Sequence, residues 1–180
     1  EIYTNRYTLS LHDAPPIYNN ALGQQAQQQI TTGYHNNALG FQAQQQITTG
    51  YANNALGQQA QYAPLGNAAY ATTTASHQVS IGYQSGQSSA TQVDSIVTIG
   101  YRATAGAAGA VAIGRSSKAE YANSVALGDG VTATAANQVM IGACDLEITD
   151  TSKGVVIKSP DGTRYRVKVA NGGALSTVAA

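Results

Sequence analysis

Charge is what this sequence most conspicuously lacks. Of its 180 residues nine are basic and nine acidic, 10% in all with a net charge of zero, against about 25% in an ordinary soluble domain. Between Ala14 and Val93 there is no Asp, Glu, Lys or Arg. Acid–base chemistry and ion binding draw on those side chains, so an enzyme is not expected. Without net positive charge the counterion release that drives nucleic-acid binding is weak, and nucleic acid is not an expected partner. Tryptophan is absent and cysteine occurs once, as Cys144, which excludes an internal disulfide framework and a cysteine-built zinc site. No apolar run approaches the roughly 18 residues that a membrane helix needs, so membrane insertion is not expected either.

What is present is small and periodic. Alanine (31) and glycine (19) dominate. Gln24–Gly40 and Phe41–Gly57 agree at 15 of 17 positions, and a third copy starts at Gln58. A looser array follows, marked by Ile81-Gly82, Ile99-Gly100, Ile113-Gly114, Leu127-Gly128 and Ile141-Gly142, at spacings of 18, 14, 14 and 14. Three residues before each of these glycines stands a valine: Val79, Val97, Val111, Val125 and Val139. A spacing of two puts Val and Ile/Leu on one face of a strand, whereas a helix needs three and four. After the glycine, Ala103/Ala105, Ser117/Ala119 and Val131/Ala133 occupy a second short strand. Gly109, Asn123 or Asn137 then supplies a turn residue tolerant of positive φ.

Each unit thus reads as strand, glycine turn, strand, turn. The fold class is all-β, a parallel β-roll or solenoid of 14- to 18-residue repeats. The expected core is Val79, Ile81, Val97, Ile99, Val111, Ile113, Val125, Leu127, Val139 and Ile141, with turn glycines Gly82, Gly100, Gly114, Gly128 and Gly142. One Val and one Ile/Leu per coil is a thin core, and association with copies of itself is the expected remedy. The expected segments are 1–17, a leader; 18–74, the uncharged 17-residue repeats; 75–143, the 14-residue repeats; and 144–180, a small C-terminal β-hairpin cap. In the last, Gly154–Lys158 and Thr163–Val169 flank the Ser159-Pro160-Asp161-Gly162 turn, and Ala174–Val178 offers a third strand. Tyr7–Ile17 (YTLSLHDAPPI) resembles a translated sequencing adapter and is set aside as an artefact or an extended leader. No charged-then-apolar secretion segment is visible, and the natural start is expected upstream.

Asn123–Gly128 (NSVALG), with Ala110–Gly114 (AVAIG), Gln138–Gly142 (QVMIG) and Gln78–Gly82 (QVSIG), resembles the head repeat of trimeric autotransporter adhesins. The resemblance covers roughly Ala75–Ala143. It implies a left-handed parallel β-roll with three chains packed side by side. The 17-residue array resembles ALG/TTG repeats of phage tail fibres, and the ending KSPDGTRYRVKVANGGALS is similar to C-terminal segments of tail-fibre proteins. The adhesin family's stalk and membrane barrel have no counterpart here, which puts the tail-fibre setting first. The implied function is a structural and adhesive fibre segment giving multivalent attachment to a host cell. A bacterial adhesin head fragment is the alternative, and an ice-binding solenoid the distant one. The expected partners are itself, as a homotrimer, and a surface glycan or protein receptor whose contact residues are unknown. The expected location is a virion tail fibre or a cell surface.

The remaining candidates read plainly. His12, His35 and His77 are separated in sequence and are expected at the surface. Cys144 reads as a small apolar residue, and Ser124 has no His–acid context. Asp145, Glu147 and Asp150 lack calcium-loop spacing, and no glycine motif cradles phosphate. Catalytic, cofactor and metal residues are therefore expected to be none. Arg164, Arg166 and Lys168 form a stripe that reads as a solvated strand face. Tyr34, Tyr51, Tyr83, Tyr101 and Tyr121 recur near turns and suit carbohydrate stacking or protein contact. Thr31-Thr32, Thr48-Thr49 and Thr132/Thr134 suggest a threonine row, which Lys118 and Glu120 interrupt.

Overall fold

The computed structural model describes residues 18–28, 30–45, 48–61, 74–88, 93–150, 152–169 and 172–179; the expected leader over 1–17 and His12 within it lie outside them. The chain divides into two compact units, Glu1–Ala143 and Cys144–Ala180. No helix among the described residues is long and apolar enough to cross a membrane.

In the first unit the strands are three residues long on one side of the coil, and from the fourth strand onward a two-residue strand lies on the other side. They run β1 (Asn20–Leu22), β2 (Asn37–Leu39), β3 (Asn54–Leu56), β4 (Val79–Ile81), β5 (Gly86–Gln87), β6 (Val97–Ile99) and β7 (Thr104–Ala105). The series continues with β8 (Val111–Ile113), β9 (Lys118–Ala119), β10 (Val125–Leu127), β11 (Thr132–Ala133) and β12 (Val139–Ile141). A long sheet of eight strands has the order β1-β2-β3-β4-β6-β8-β10-β12, and a short one of four has β11-β9-β7-β5. Both are parallel, and the residue before each turn glycine stays in register from coil to coil: Leu22 with Leu39, Leu56 with Ile81, Ile99 with Ile113. The coil between β3 and β4 is longer, Asn53 lying 25 residues from its counterpart Gln78. The surplus is taken up outside the strand, so one sheet runs through both repeat arrays.

The strands are short because left-handed residues bracket them. Two residues after the turn glycine stand Gln25, Gln42, Gln59, Gln84, Arg102 and Ser116, all with φ between 51 and 60°. Two residues before the strand stand His35, Ala52, His77, Ser95, Asn123 and Asn137, with φ between 55 and 59°; Gly109 occupies the same place at 72°. Each corner continues the ladder through its own N–H, as in Gln42 N to Gln24 O at 2.9 Å and Asn123 N to Ala108 O at 3.0 Å. Satisfied backbone groups offset the cost of this uncommon conformation.

The interior corrects the expected core. Val79, Ile81, Val97, Ile99, Val111, Ile113, Val125, Leu127, Val139 and Ile141 are half-buried or exposed and point away from the coil. Inward points the residue between each pair: Ala38, Ala55, Ser80, Thr98, Ala112 and Ala126 are all 4% exposed or less. Ala112 and Ala126 cluster with Ala105, Ala119 and Ala133 of the short sheet and with Ala103 just before it, whereas Ala38 and Ala55 cluster with Ala26, Ala43 and Ala60. Alternation fixes that Val and Ile share a face but not which face. At the middle of each long-sheet strand the flattened coil leaves room only for a small side chain, and close packing then turns the flanking branched residues outward.

The second unit contains the expected antiparallel hairpin, extended by the third strand that the sequence offers: β13 (Val155–Lys158), β14 (Arg164–Val169) and β15 (Leu175–Ala179), in that order. Val155 pairs with Val167, and Val167 with Thr177. The turn before β14 is closed by Ser159 N to Thr163 O at 2.9 Å, with Gly162 at φ 86°.

Candidate functional site

The outer face of the long sheet carries two side-chain columns. One is Leu22, Leu39, Leu56, Ile81, Ile99, Ile113, Leu127 and Ile141. The other begins as Asn20, Asn37 and Asn54 and continues as Val79, Val97, Val111, Val125 and Val139, because β3 pairs Asn54 with Val79. Exposure of 45% at Leu39 and Leu56 and 63% at Val139 marks these as accessible apolar groups. The asparagines hydrogen-bond along their column, Asn20 Nδ2 to Asn37 Oδ1 at 2.7 Å and Asn37 Nδ2 to Asn54 Oδ1 at 2.8 Å. Sequence reasoning placed the branched residues inside and so missed this surface. The signal that would have revealed it is the small residue in the middle of nearly every strand.

Glycines hold the rim of this face. Gly82, Gly100, Gly114 and Gly128 have φ between 121 and 132°, as the turn reading expected, while Gly142 lies outside the left-handed region. At Gly114 a Cβ would lie 2.2 Å from the backbone oxygen of Gly128. The same column extends to Gly23, Gly40 and Gly57. Beside it runs an amide ladder on the left-handed corner: Gln42 to Gln25, Gln59 to Gln42 and Gln84 to Gln59 at 2.8–2.9 Å, ended by Arg102 Nε to Gln84 Oε1 at 3.0 Å.

The opposite corner is aromatic. Tyr34 and Tyr51 stack with centroids 5.0 Å apart and planes 8° from parallel. Tyr18 stacks on His35 at 5.3 Å, and His77 meets Tyr51 edge-on at 4.8 Å. Both histidines are exposed. Tyr121 on this corner is exposed, whereas Tyr83 and Tyr101, which stack at 5.4 Å, follow the turn glycines and lie beside the amide ladder. On the short sheet the outward column of Thr104, Lys118 and Thr132 carries the lysine that interrupts a threonine row.

Chemically reactive groups are dispersed. Among the described residues no group of three or more His, Cys, Asp or Glu is placed to hold a metal. Ser124 is buried and donates to Tyr121 O at 2.7 Å, and Cys144 is exposed. Arg115 pairs with Asp129, whose hydrogen bond and charge raise the arginine's pKa. Ser152 lowers that of Asp150 by donating its hydroxyl and its N–H. The Arg164/Arg166/Lys168 stripe lies on β14, where Arg166 donates to Ser152 O at 3.2 Å. The surface therefore has the chemistry of contact, with apolar columns, amide ladders and stacked rings.

These features define a parallel β-solenoid with an apolar outer sheet face. No protein-family model matches the chain, and no curated protein does. Among solved structures the chain is similar to the collagen-binding domain of the Yersinia adhesin YadA, at 24% identity and a TM-score of 0.48. The match covers 75% of this chain and 66% of that one, just under two thirds of its length.

Proposed function

We propose that the chain is a segment of an adhesive surface fibre in which three copies pack side by side through the outer face of the long sheet. A phage tail fibre is the preferred setting and a bacterial adhesin head the alternative; the location is accordingly a virion or a cell surface. The carrying observation is the pair of outward columns, Leu/Ile and Asn/Val, in an eight-stranded sheet. At about 4.8 Å per rung these columns run roughly 34 Å. An apolar surface of that length marks an interaction site, and a coil filled by alanine and serine has little else to bury. In this reading the fibre binds a host glycan or protein weakly per site and strongly in sum, and it has no catalytic, cofactor or metal role. The exposed rings of Tyr18, Tyr34 and His35 suit such contact on a surface without charge.

The test compares the wild type with Val125→Asp on panels of surface glycans and matrix proteins, collagen included. The charge sits on the outer face, so the coil remains and association is lost. The assembled wild type is expected to bind at least one surface about 100-fold more tightly than the variant. Equal binding by both, or binding to nothing on the panel, contradicts the proposal.

A further inference from the structure

We infer that the Asn20–Asn37–Asn54 column is an orientation key, which makes copies of this chain associate parallel and in register. The inference rests on the self-association proposed above and goes beyond it. In the column, Asn37 spends one N–H on Asn54 Oδ1 and accepts one from Asn20 Nδ2. A carboxamide has two N–H donors and two acceptor positions, so each rung keeps one donor and one acceptor for a neighbour. That set is self-complementary: an asparagine on one copy satisfies an asparagine on another.

The same column is valine for the next five rungs, Val79 to Val139, and the pattern therefore has a direction. Parallel, in-register copies put amide against amide and valine against valine. An antiparallel pair of the eight-rung sheets sets Asn20 opposite Val139, Asn37 opposite Val125 and Asn54 opposite Val111. The bonds along the column remain, but the donor and acceptor that each amide keeps spare are then buried against valine without partners, each a lost hydrogen-bonding group in an apolar contact. The Leu/Ile column gives no such direction, being apolar from end to end. A polar residue at an otherwise apolar seam fixes register and orientation in coiled coils by the same physics.

Cross-linking in the intact chain tests this. In a Cys144→Ser background, Leu22→Cys and Ile141→Cys proteins, distinguishable by tag mass, are mixed and treated with a short bis-maleimide. The expected products are 22–22 and 141–141 pairs, exceeding 22–141 by at least about ten-fold. Replacing Asn20, Asn37 and Asn54 by Val is expected to bring 22–141 pairs up to comparable yield. Asn37→Val alone is expected to raise them partially, with far-ultraviolet circular dichroism confirming the fold of each variant. Abundant 22–141 pairs in the unsubstituted column overturn the inference, as does a folded triple variant that stays wholly parallel. An absence of every cross-link instead removes the self-association on which it rests.

Discussion

In the 17-residue coils the residue entering each strand is Asn36 or Asn53; in the 14-residue coils it is Ala110 or Ser124, and all four are fully buried. The longer coils fill their interior with amides. Asn36 Nδ2 donates to Gly50 O at 2.7 Å, Asn36 Oδ1 accepts from Asn53 N at 3.0 Å, and Gln27 Nε2 donates to Gln44 Oε1 at 2.9 Å. The shorter coils fill theirs with Ala112, Ala119 and Ala126. At the junction Gln78 bridges the two styles, its backbone N–H donating to Asn53 Oδ1 at 3.0 Å and its Nε2 to Val93 O at 2.6 Å, and Ile96 fills the 18-residue coil completely buried. Coil circumference thus sets interior volume, and volume selects the residue. The backbone ladder is common to both styles. A wider coil holds a polar interior because its amides bond to neighbouring rungs, as Asn36 and Asn53 do, although Gln44 accepts from Gln27 while its own buried Nε2 has no partner among the described residues.

The largest effect should come where the two arrays are alike. Gly114→Ala and Gly40→Ala each add a Cβ 2.2 or 2.4 Å from the next rung's glycine oxygen, at φ 129 and 138°. Strain and overpacking together predict a loss of about 3–5 kcal/mol for both in chemical denaturation. Gly130→Ala, with nothing within 4 Å of its Cβ at φ 65°, is expected to lose only about 1 kcal/mol. Unequal effects at Gly40 and Gly114 would mean that the arrays do not share one ladder.

Next come the interiors, where the arrays should part. Asn36→Ala orphans Gly50 O and Asn53 N, which predicts a loss of about 2–4 kcal/mol. Ser117→Ala is expected to change stability by about 0.5 kcal/mol or less, since its hydroxyl bonds only to Gly114 O and Ala103 stands at the equivalent place. Equal losses would remove the distinction between amide-filled and alanine-filled coils.

The outer amide ladder of the wider coils should matter less. Gln42→Ala breaks two side-chain bonds, an exposed one to Gln25 and a part-buried one from Gln59, and is expected to lower stability by about 0.5–1 kcal/mol in the same denaturation experiment. The smallest effect separates the uncharged coils from the charged second unit. Hydrogen bonds from Ser159 and Thr163 lower the pKa of Asp161 in the turn before β14. A depressed folded-state pKa contributes stability above the unfolded carboxylate value and loses it as pH falls through the folded one. Amide signals of β13 and β14 are therefore expected to weaken slightly between neutral pH and about pH 2. Those of β2 and β3, in a stretch without carboxylates, are expected to hold. Loss confined to β2 and β3 would contradict this.

Much of the architecture is legible in the residues. The Ile-Gly landmark predicts parallel rungs in register, and Leu56 pairing with Ile81 shows that it holds across an irregular coil. Asn123 and Asn137 take the left-handed corner expected of them, and the turn at Asp161 joins the strands expected around it. The facing of the strands was not legible from hydrophobicity, because Val125 and Leu127 obey the same alternation whether they point in or out. Volume decides, and Ala38, Ala55, Ala112 and Ala126 at the middle of the strand carried that information. The buried amides escaped for a related reason: Asn36 reads as a turn residue until a neighbouring rung is present to pair with it.

The central claim is that the outward columns are covered by further copies of the chain. Sedimentation equilibrium of the 180-residue protein tests it most directly. A mass about three times 18.5 kDa that falls to a single chain on Val125→Asp, with the coil's circular dichroism kept, is the result this account predicts. An unsubstituted protein that stays at 18.5 kDa across micromolar concentrations would contradict it.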